Sequence, residues 1–156
     1  MLENCKNASE RWGGVNNLID KWLDERKALI VALCDLSANA SSTQEKKAEK
    51  FQRFCQILVD YVSVGHFEVY EQLLIEAAEY NDGGTELANK VIPMIDISTE
   101  IALSFNDRFD DIHKVDDGIQ SLMTELDTLG KTLEDRFSLE DKLIAKLHQA
   151  HANTAA

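Results

Sequence analysis

The chain has 156 residues, which suits one domain with a sizeable core and leaves little room for two. Its formal net charge of −12 disfavours direct binding to DNA, RNA or an anionic membrane and favours basic partners, although it also suits mere solubility. No apolar run approaches the roughly 20 residues of a membrane span, and no secretion signal opens the chain. These features predict a cytosolic protein with reduced thiols, and we interpret Cys34 and Cys55 as small core residues.

Four long helices are predicted, because the sequence has only one proline and seven glycines to interrupt them. In chain order they cover about residues 9–36, 42–80, 85–109 and 116–148. Ser42 and Glu45 form a capping box at the second helix, and the glycines of segment 81–84 suit a left-handed helix end. The predicted fold class is all-α, an antiparallel up-down-up-down four-helix bundle. Residues 1–156 form a single domain, with a frayed tail after about residue 148.

Apolar residues at spacings of three and four predict the buried side of each helix. The first helix has the seam Trp12, Val15, Ile19, Trp22, Leu29, Leu33 and Leu36. The third is expected to bury Leu87, Val91, Met94, Ile101 and Phe105, with a kink at Pro93. The fourth has the seam Ile119, Leu122, Leu126, Leu129, Leu133, Leu143 and Leu147.

Three charged residues occupy seam positions where leucine is expected, namely Arg26, Arg136 and Glu140. Arg136 and Glu140 are four residues apart and can pair along their own helix. Arg26 is roughly level with Asp60 and Ser63 on an antiparallel neighbour. Because a lone buried charge is costly, we expect a partly buried polar cluster in mid-bundle. Such a cluster fixes helix register, or alternatively binds a ligand.

Motifs for catalysis and metal binding are missing from the sequence. Di-iron bundles use Glu-x-x-His pairs, which do not occur here, and His66, His113, His148 and His151 have no convincing ligand spacing. There is no phosphate-binding glycine loop, nucleophile elbow or recognisable Cys/His motif. We therefore predict that the protein is not an enzyme and uses no cofactor or metal.

The second helix has two faces that both carry apolar residues. One is an ordinary core stripe of Phe51, Phe54, Leu58, Val62, Gly65, Val69 and Leu73. The opposite face, which we call the second face, consists of Gln56, Asp60, Ser63, Phe67, Glu71 and Leu74. Acids mixed with an aromatic ring and a leucine indicate a helix that is either buried all round or built to meet a partner.

Four motifs, in order along almost the whole chain, resemble the Rsd/AlgQ family of bacterial regulators. They are Arg11-Trp12, the Trp-Leu-Asp-Glu-Arg of residues 22–26, residues 54–71 with the core Asp-Tyr-x-Ser-x-Gly-His-Phe, and Arg-Phe-x-Leu-Glu-Asp-x-Leu-Ile at residues 136–144. The sequences of residues 10–14 and 65–71 are closer to the AlgQ branch.

The resemblance implies a helical bundle that acts as an anti-sigma factor. Family members bind the principal sigma factor of RNA polymerase, chiefly its C-terminal domain, which reads the −35 promoter element. They sequester free sigma from promoter DNA and from core polymerase. For this chain we expect no direct nucleic-acid binding, no membrane contact, and these partner-binding residues: Asp60, Ser63, Phe67, Glu71, His66, Tyr70, Leu74 and Trp12.

The residues alone leave two other functions open. One is a bundle that senses a small ligand or metal through the polar cluster of Arg26, Arg136 and Glu140. The other is a structural or scaffold bundle, in which the second face is simply buried. The acidic charge favours the sigma-binding interpretation, because a domain that reads DNA has a basic reading face, which Asp60 and Glu71 can pair with and Phe67 and Leu74 can pack against.

Overall fold

A computed structural model describes residues 8–38, 44–80, 83–109 and 118–154. In these residues the chain is all-helical, with five α-helices, one π-helical turn and no strand. The α-helices are α1 (Ala8–Ala38), α2 (Gln44–Val64), α3 (Tyr70–Tyr80), α4 (Gly84–Phe109) and α5 (Gly118–Thr154). The prediction of an all-α protein is confirmed.

The second predicted helix is divided by a π-helical turn, Gly65–Val69, which joins α2 to α3. The backbone stays in the right-handed helical region on both sides, with φ −61° and ψ −45° at Val64 and φ −65° and ψ −37° at Tyr70. The segment is therefore continuously helical from residue 44 to residue 80, but one turn is wider than the rest. The predicted end of this segment is supported at Gly83, whose φ of 97° favours glycine.

The helices pack pairwise around one core. Contacts join α1 to α2, α3 to α4, and α4 to both α2 and α5. The chains of α4 and α5 run in opposite directions, because Arg108 pairs with Glu125 while Ser98, nearer the start of α4, bonds to Arg136 further along α5. These pairings bring the middle of α5 against the π-helical turn region, where the candidate site lies.

The predicted core stripe of the second helix is confirmed. Each of its members is buried, including Leu58, Val62 and Val69, which are 0% exposed. The seams of α1 and α5 are also buried or half-buried at every position whose side chain the structure describes. At one end, Phe105 packs in an aromatic group with Phe51, Phe54 and Phe109.

Two predictions about burial are wrong. Met94 and Ile101 of α4 are 51% and 39% exposed, and the residues buried nearby are Ile95, Ser98 and Ala102. Val91 and Phe105 of the predicted stripe are buried as expected, so the prediction for α4 is wrong only at Met94 and Ile101. Apolar residues surround this helix, and periodicity alone does not decide which of them are buried. Cys34 is exposed and is not a core residue, whereas Cys55 is buried as predicted.

Several sequence predictions fall partly or wholly outside the described residues. They include the capping box at Ser42, the predicted start of the fourth helix at about residue 116, and the side chain of Ile119. The backbone of α5 is helical to Thr154, and the fraying expected after residue 148 stays a prediction. Within the described ranges, no helix is long and apolar enough to cross a membrane.

Candidate protein-binding site

A buried polar network centres on the carboxylate of Glu140, which is 0% exposed. One carboxylate oxygen accepts hydrogen bonds from Arg136 Nε at 2.8 Å and from the Tyr70 hydroxyl at 3.0 Å. The other accepts bonds from Arg26 Nη2 at 2.8 Å and from the Tyr61 hydroxyl. Helices α1, α2, α3 and α5 therefore each contribute one donor side chain to a single buried carboxyl group.

Arg136 completes the network on its other side and is also 0% exposed. Its Nη1 donates to the hydroxyls of Thr99 at 2.6 Å and Ser98 at 3.1 Å, and its Nη2 donates to the Tyr70 hydroxyl at 2.7 Å. Each guanidinium nitrogen of Arg136 thus has an acceptor, and α4 joins the network. A buried ion pair is tolerated when its remaining polar atoms are satisfied in this way.

Arg26 connects the buried network to solvent. Its side chain is 12% exposed and bridges Glu140 to Asp141, which is 61% exposed and accepts from Nη1 at 2.7 Å. Burial alone would lower the pKa of Arg26, but hydrogen bonds to Tyr61, Asp141 and Glu140 raise it above its ordinary value. The guanidinium also lies 4.9 Å from the ring centre of Phe137, a cation–π distance. Arg26 is therefore held as a cation.

The two tyrosines act as neutral donors. Burial raises the pKa of Tyr61 and of Tyr70 far above the ordinary tyrosine value, and the negative charge of Glu140 raises both further. Trp22 stacks on Tyr61 with ring centroids 5.6 Å apart and meets Tyr70 edge-on at 5.7 Å. Trp22 thus packs against both tyrosines of the network.

The network brings together the three charges that the sequence singled out, Arg26, Arg136 and Glu140. Sequence reasoning missed most of their partners, because Tyr61, Ser98 and Thr99 look like ordinary helix residues. Both oxygens of Glu140 and all three nitrogens of Arg136 are already engaged. Among the described residues no group of three or more potential ligands is placed to hold a metal ion. The polar atoms of the pair are thus satisfied by partners within the chain.

The second face of the predicted helix is largely open to solvent. Gln56, Asp60 and Glu71 are exposed, and Ser63 and Leu74 are half-buried. Gln56 donates to an Asp60 carboxylate oxygen at 3.2 Å, a surface contact that a partner can replace. Of the two possibilities raised by the sequence, burial all round does not apply to these positions.

The remaining predicted contact residues have different locations. Tyr70 requires correction: its side chain is 3% exposed and its hydroxyl belongs to the buried polar network, so it does not face a partner. Trp12 lies in α1, and His66 and Phe67 lie in the π-helical turn. The side chains of these three residues are outside the described part of the structure.

Two acids that were not predicted as contacts extend the acidic surface beside Asp60. Glu68 is exposed on the π-helical turn, and Glu25 of α1 is half-buried nearby. Burial raises the pKa of Glu25; Lys21 opposes this, and the charges of Asp60 and Glu68 raise it further. Position-by-position reading of the second helix could not find Glu25, because it lies on a different helix.

Replacing Glu25 with glutamine should stabilise the protein at neutral pH. The raised pKa means that the folded state binds the Glu25 proton more tightly than the unfolded chain does, so ionised Glu25 costs stability above its folded pKa. This cost is relieved as pH falls and is gone below the ordinary value of 4.5. Urea unfolding should show the gain at pH 7 and its loss at about pH 4. The exposed neighbour Asp24, changed to asparagine, is the control; an equal gain there would contradict the assignment.

The described residues form an all-helical protein with an acidic exposed surface, and comparison with known proteins supplies its class. The family model described as "Regulator of RNA polymerase sigma(70) subunit, Rsd/AlgQ" matches residues 1–148. The chain belongs to the Rsd/AlgQ family. The family is one of sigma-factor regulators, which are binding proteins and not enzymes. The predicted family is thus confirmed, while the AlgQ branch stays a prediction.

The chain is also similar to curated proteins that are named regulators of sigma D. The "Regulator of sigma D" of Salmonella paratyphi B is 36% identical over 155 residues, covering 96% of this chain and 93% of that protein. That of Yersinia pseudotuberculosis serotype O:1b is 33% identical over 147 residues, covering 92% and 87%. In each comparison the similarity therefore extends over nearly the full length of both proteins.

Proposed function

We propose that the protein is an anti-sigma factor that binds the C-terminal, −35-reading domain of the principal sigma factor. Bound sigma is kept from promoter DNA and from core polymerase, and the protein itself does not bind nucleic acid. Membership of the Rsd/AlgQ family is the observation that supports a role in sigma-factor regulation. The proposal places the protein in the cytoplasm, where bacterial RNA polymerase works. It also includes an antiparallel up-down-up-down arrangement of the four long helical segments.

The proposed contact surface is the exposed part of the second face, extended by the nearby acids. Asp60, Glu68 and Glu71 offer carboxylates to the arginines and lysines of a DNA-reading domain. Half-buried Leu74 and the ring of Phe67 add apolar contact, which makes such an interface persist. The acidic surface then binds the DNA-reading face of the sigma domain in the way that the phosphate backbone of DNA does.

Binding to the isolated sigma C-terminal domain should weaken steeply with salt. Exposed carboxylates that meet a basic partner are screened at high ionic strength, and the Debye length falls from about 10 Å at 0.1 M to about 3 Å at 1 M. Titration calorimetry at two salt concentrations measures this.

Phe67→Ala should raise Kd for the same domain while leaving the salt dependence of binding and the helicity of the protein unchanged. If the domain does not bind at low salt, the proposed function is wrong.

The alternative function, a sensor of a small ligand or metal, gains no support from the network. Its polar atoms are occupied by partners within the chain, and the residues at its centre have no exposure through which a ligand enters.

A further inference from the structure

Tyr61 and Tyr70 meet at the same carboxylate although they are nine residues apart. At about 100° per residue, nine residues of regular α-helix leave two side chains on opposite sides of the helix. The π-helical turn lies between them and accommodates one extra residue in a single turn, which removes roughly 100° of that rotation. Both hydroxyls can therefore reach Glu140 only because the turn is π-helical.

Gly65 allows the turn to lie directly against the buried polar network. A Cβ atom at this position would stand 3.2 Å from Arg136 Nη2, 3.2 Å from the Tyr70 hydroxyl and 3.3 Å from Trp22 Nε1. These atoms belong to side chains that are 0%, 3% and 1% exposed, and two of them are held by hydrogen bonds to Glu140. Since the neighbours cannot move aside easily, a larger residue must displace either the turn or the network.

The same turn sets the geometry of the exposed surface. Asp60 precedes it, Glu68 lies on it and Glu71 follows it. In an unbroken α-helix Asp60 and Glu71, eleven residues apart, would lie almost in line, whereas the extra residue rotates Glu71 by roughly 100°. The turn thus directs Glu71 away from the line of Asp60 and widens the acidic surface around the helix.

We propose that Gly65 and Tyr70 are positioning residues: by locking the π-helical turn to the Arg136–Glu140 pair, they set the relative orientation of Asp60, Glu68 and Glu71 for the partner. This proposal rests on the proposed function. The partner that fits is a basic domain whose cations are spaced around a helix rather than along one line. Tyr70, predicted as a contact, acts from beneath the surface instead.

Two variants test the positioning role. Gly65→Ala should displace the turn and raise Kd for the sigma C-terminal domain about tenfold, while Tyr70→Phe, which deletes only the hydroxyl, should raise it severalfold. Phe105→Leu is the matched control, because it loosens the core in the distant aromatic group and destabilises the protein without touching the turn. Its Kd should stay within about twofold of the parent at a temperature where all variants are folded.

A second measurement separates this proposal from the proposed function. Amide hydrogen exchange in residues 62–72 should become faster in Gly65→Ala and Tyr70→Phe than in Phe105→Leu, with or without a partner present. Faster exchange together with weaker sigma binding supports the proposal. Unchanged exchange in both variants, or a Kd change no larger than that of Phe105→Leu, overturns it. If the parent itself fails to bind sigma, the proposed function falls and the exchange result still decides whether the turn is locked by the network.

Discussion

Replacing Glu140 with leucine should lower the free energy of unfolding by about 3–5 kcal/mol, the loss typical of breaking a buried ion pair. The variant leaves Arg136 fully buried with only hydroxyl partners, Ser98, Thr99 and Tyr70, and no anion. An arginine cannot escape this cost by releasing its proton. Urea or thermal unfolding at neutral pH measures the effect. A decrease in the free energy of unfolding of less than about 1 kcal/mol would show that the ion pair does not stabilise the fold.

The double variant Arg136→Met with Glu140→Leu is the control for this prediction. Because it removes both buried charges, it should be more stable than Glu140→Leu alone, as expected when an ion pair is replaced by apolar residues. Measured together with Arg136→Met alone, the set forms a double-variant cycle that isolates the coupling of the pair from the loss of packing volume. A double variant as unstable as the sum of the single changes would indicate that the two charges act independently.

Reversing the charge of Asp60 with lysine should raise Kd for the sigma C-terminal domain on the order of 100-fold. Asp60 is exposed, so the substitution is expected to leave stability nearly unchanged. Against a basic partner it replaces an attraction with a repulsion, and like charges brought together at an interface cost several kcal/mol. Titration calorimetry at low salt, which measures Kd for the parent and the variant, checks the result.

Asp107→Lys provides the matched comparison, since Asp107 of α4 is also exposed and the change in net charge is identical. It should alter Kd only slightly, through long-range electrostatics that salt screens. If both reversals weaken binding equally, the partner responds to total charge and the surface around Asp60 is not its contact.

Much of the fold could be predicted because local patterns carry it. Leu58, Val62 and Val69 follow the helical period and are fully buried. Arg136 and Glu140 were expected to pair from their spacing of four, and they are joined at 2.8 Å. A helix places residues four apart on one face whatever surrounds it, so these features need no knowledge of the neighbouring helices.

Prediction was weakest where the local pattern is ambiguous. Helix α4 has apolar residues on several sides, and Met94, Ile97 and Ile101 are exposed although a helical period fits them well. The structure buries Ile95 and Ser98 instead, because Ser98 must face Arg136 of α5. Only the partner helix distinguishes between two equally regular faces.

The sequence by itself determined that the chain is helical, which stripes of α1, α5 and the second predicted helix are buried, that the protein is strongly acidic and to which family it belongs. Only the tertiary structure decided that the second helix contains a π-helical turn and that Tyr70 lies inside. The physical reason is that helical periodicity is local, whereas the turn is stabilised by hydrogen bonds between Tyr70 and residues of α5 that are 66 and 70 positions away along the chain. The relative orientation of the exposed acids follows from that long-range contact.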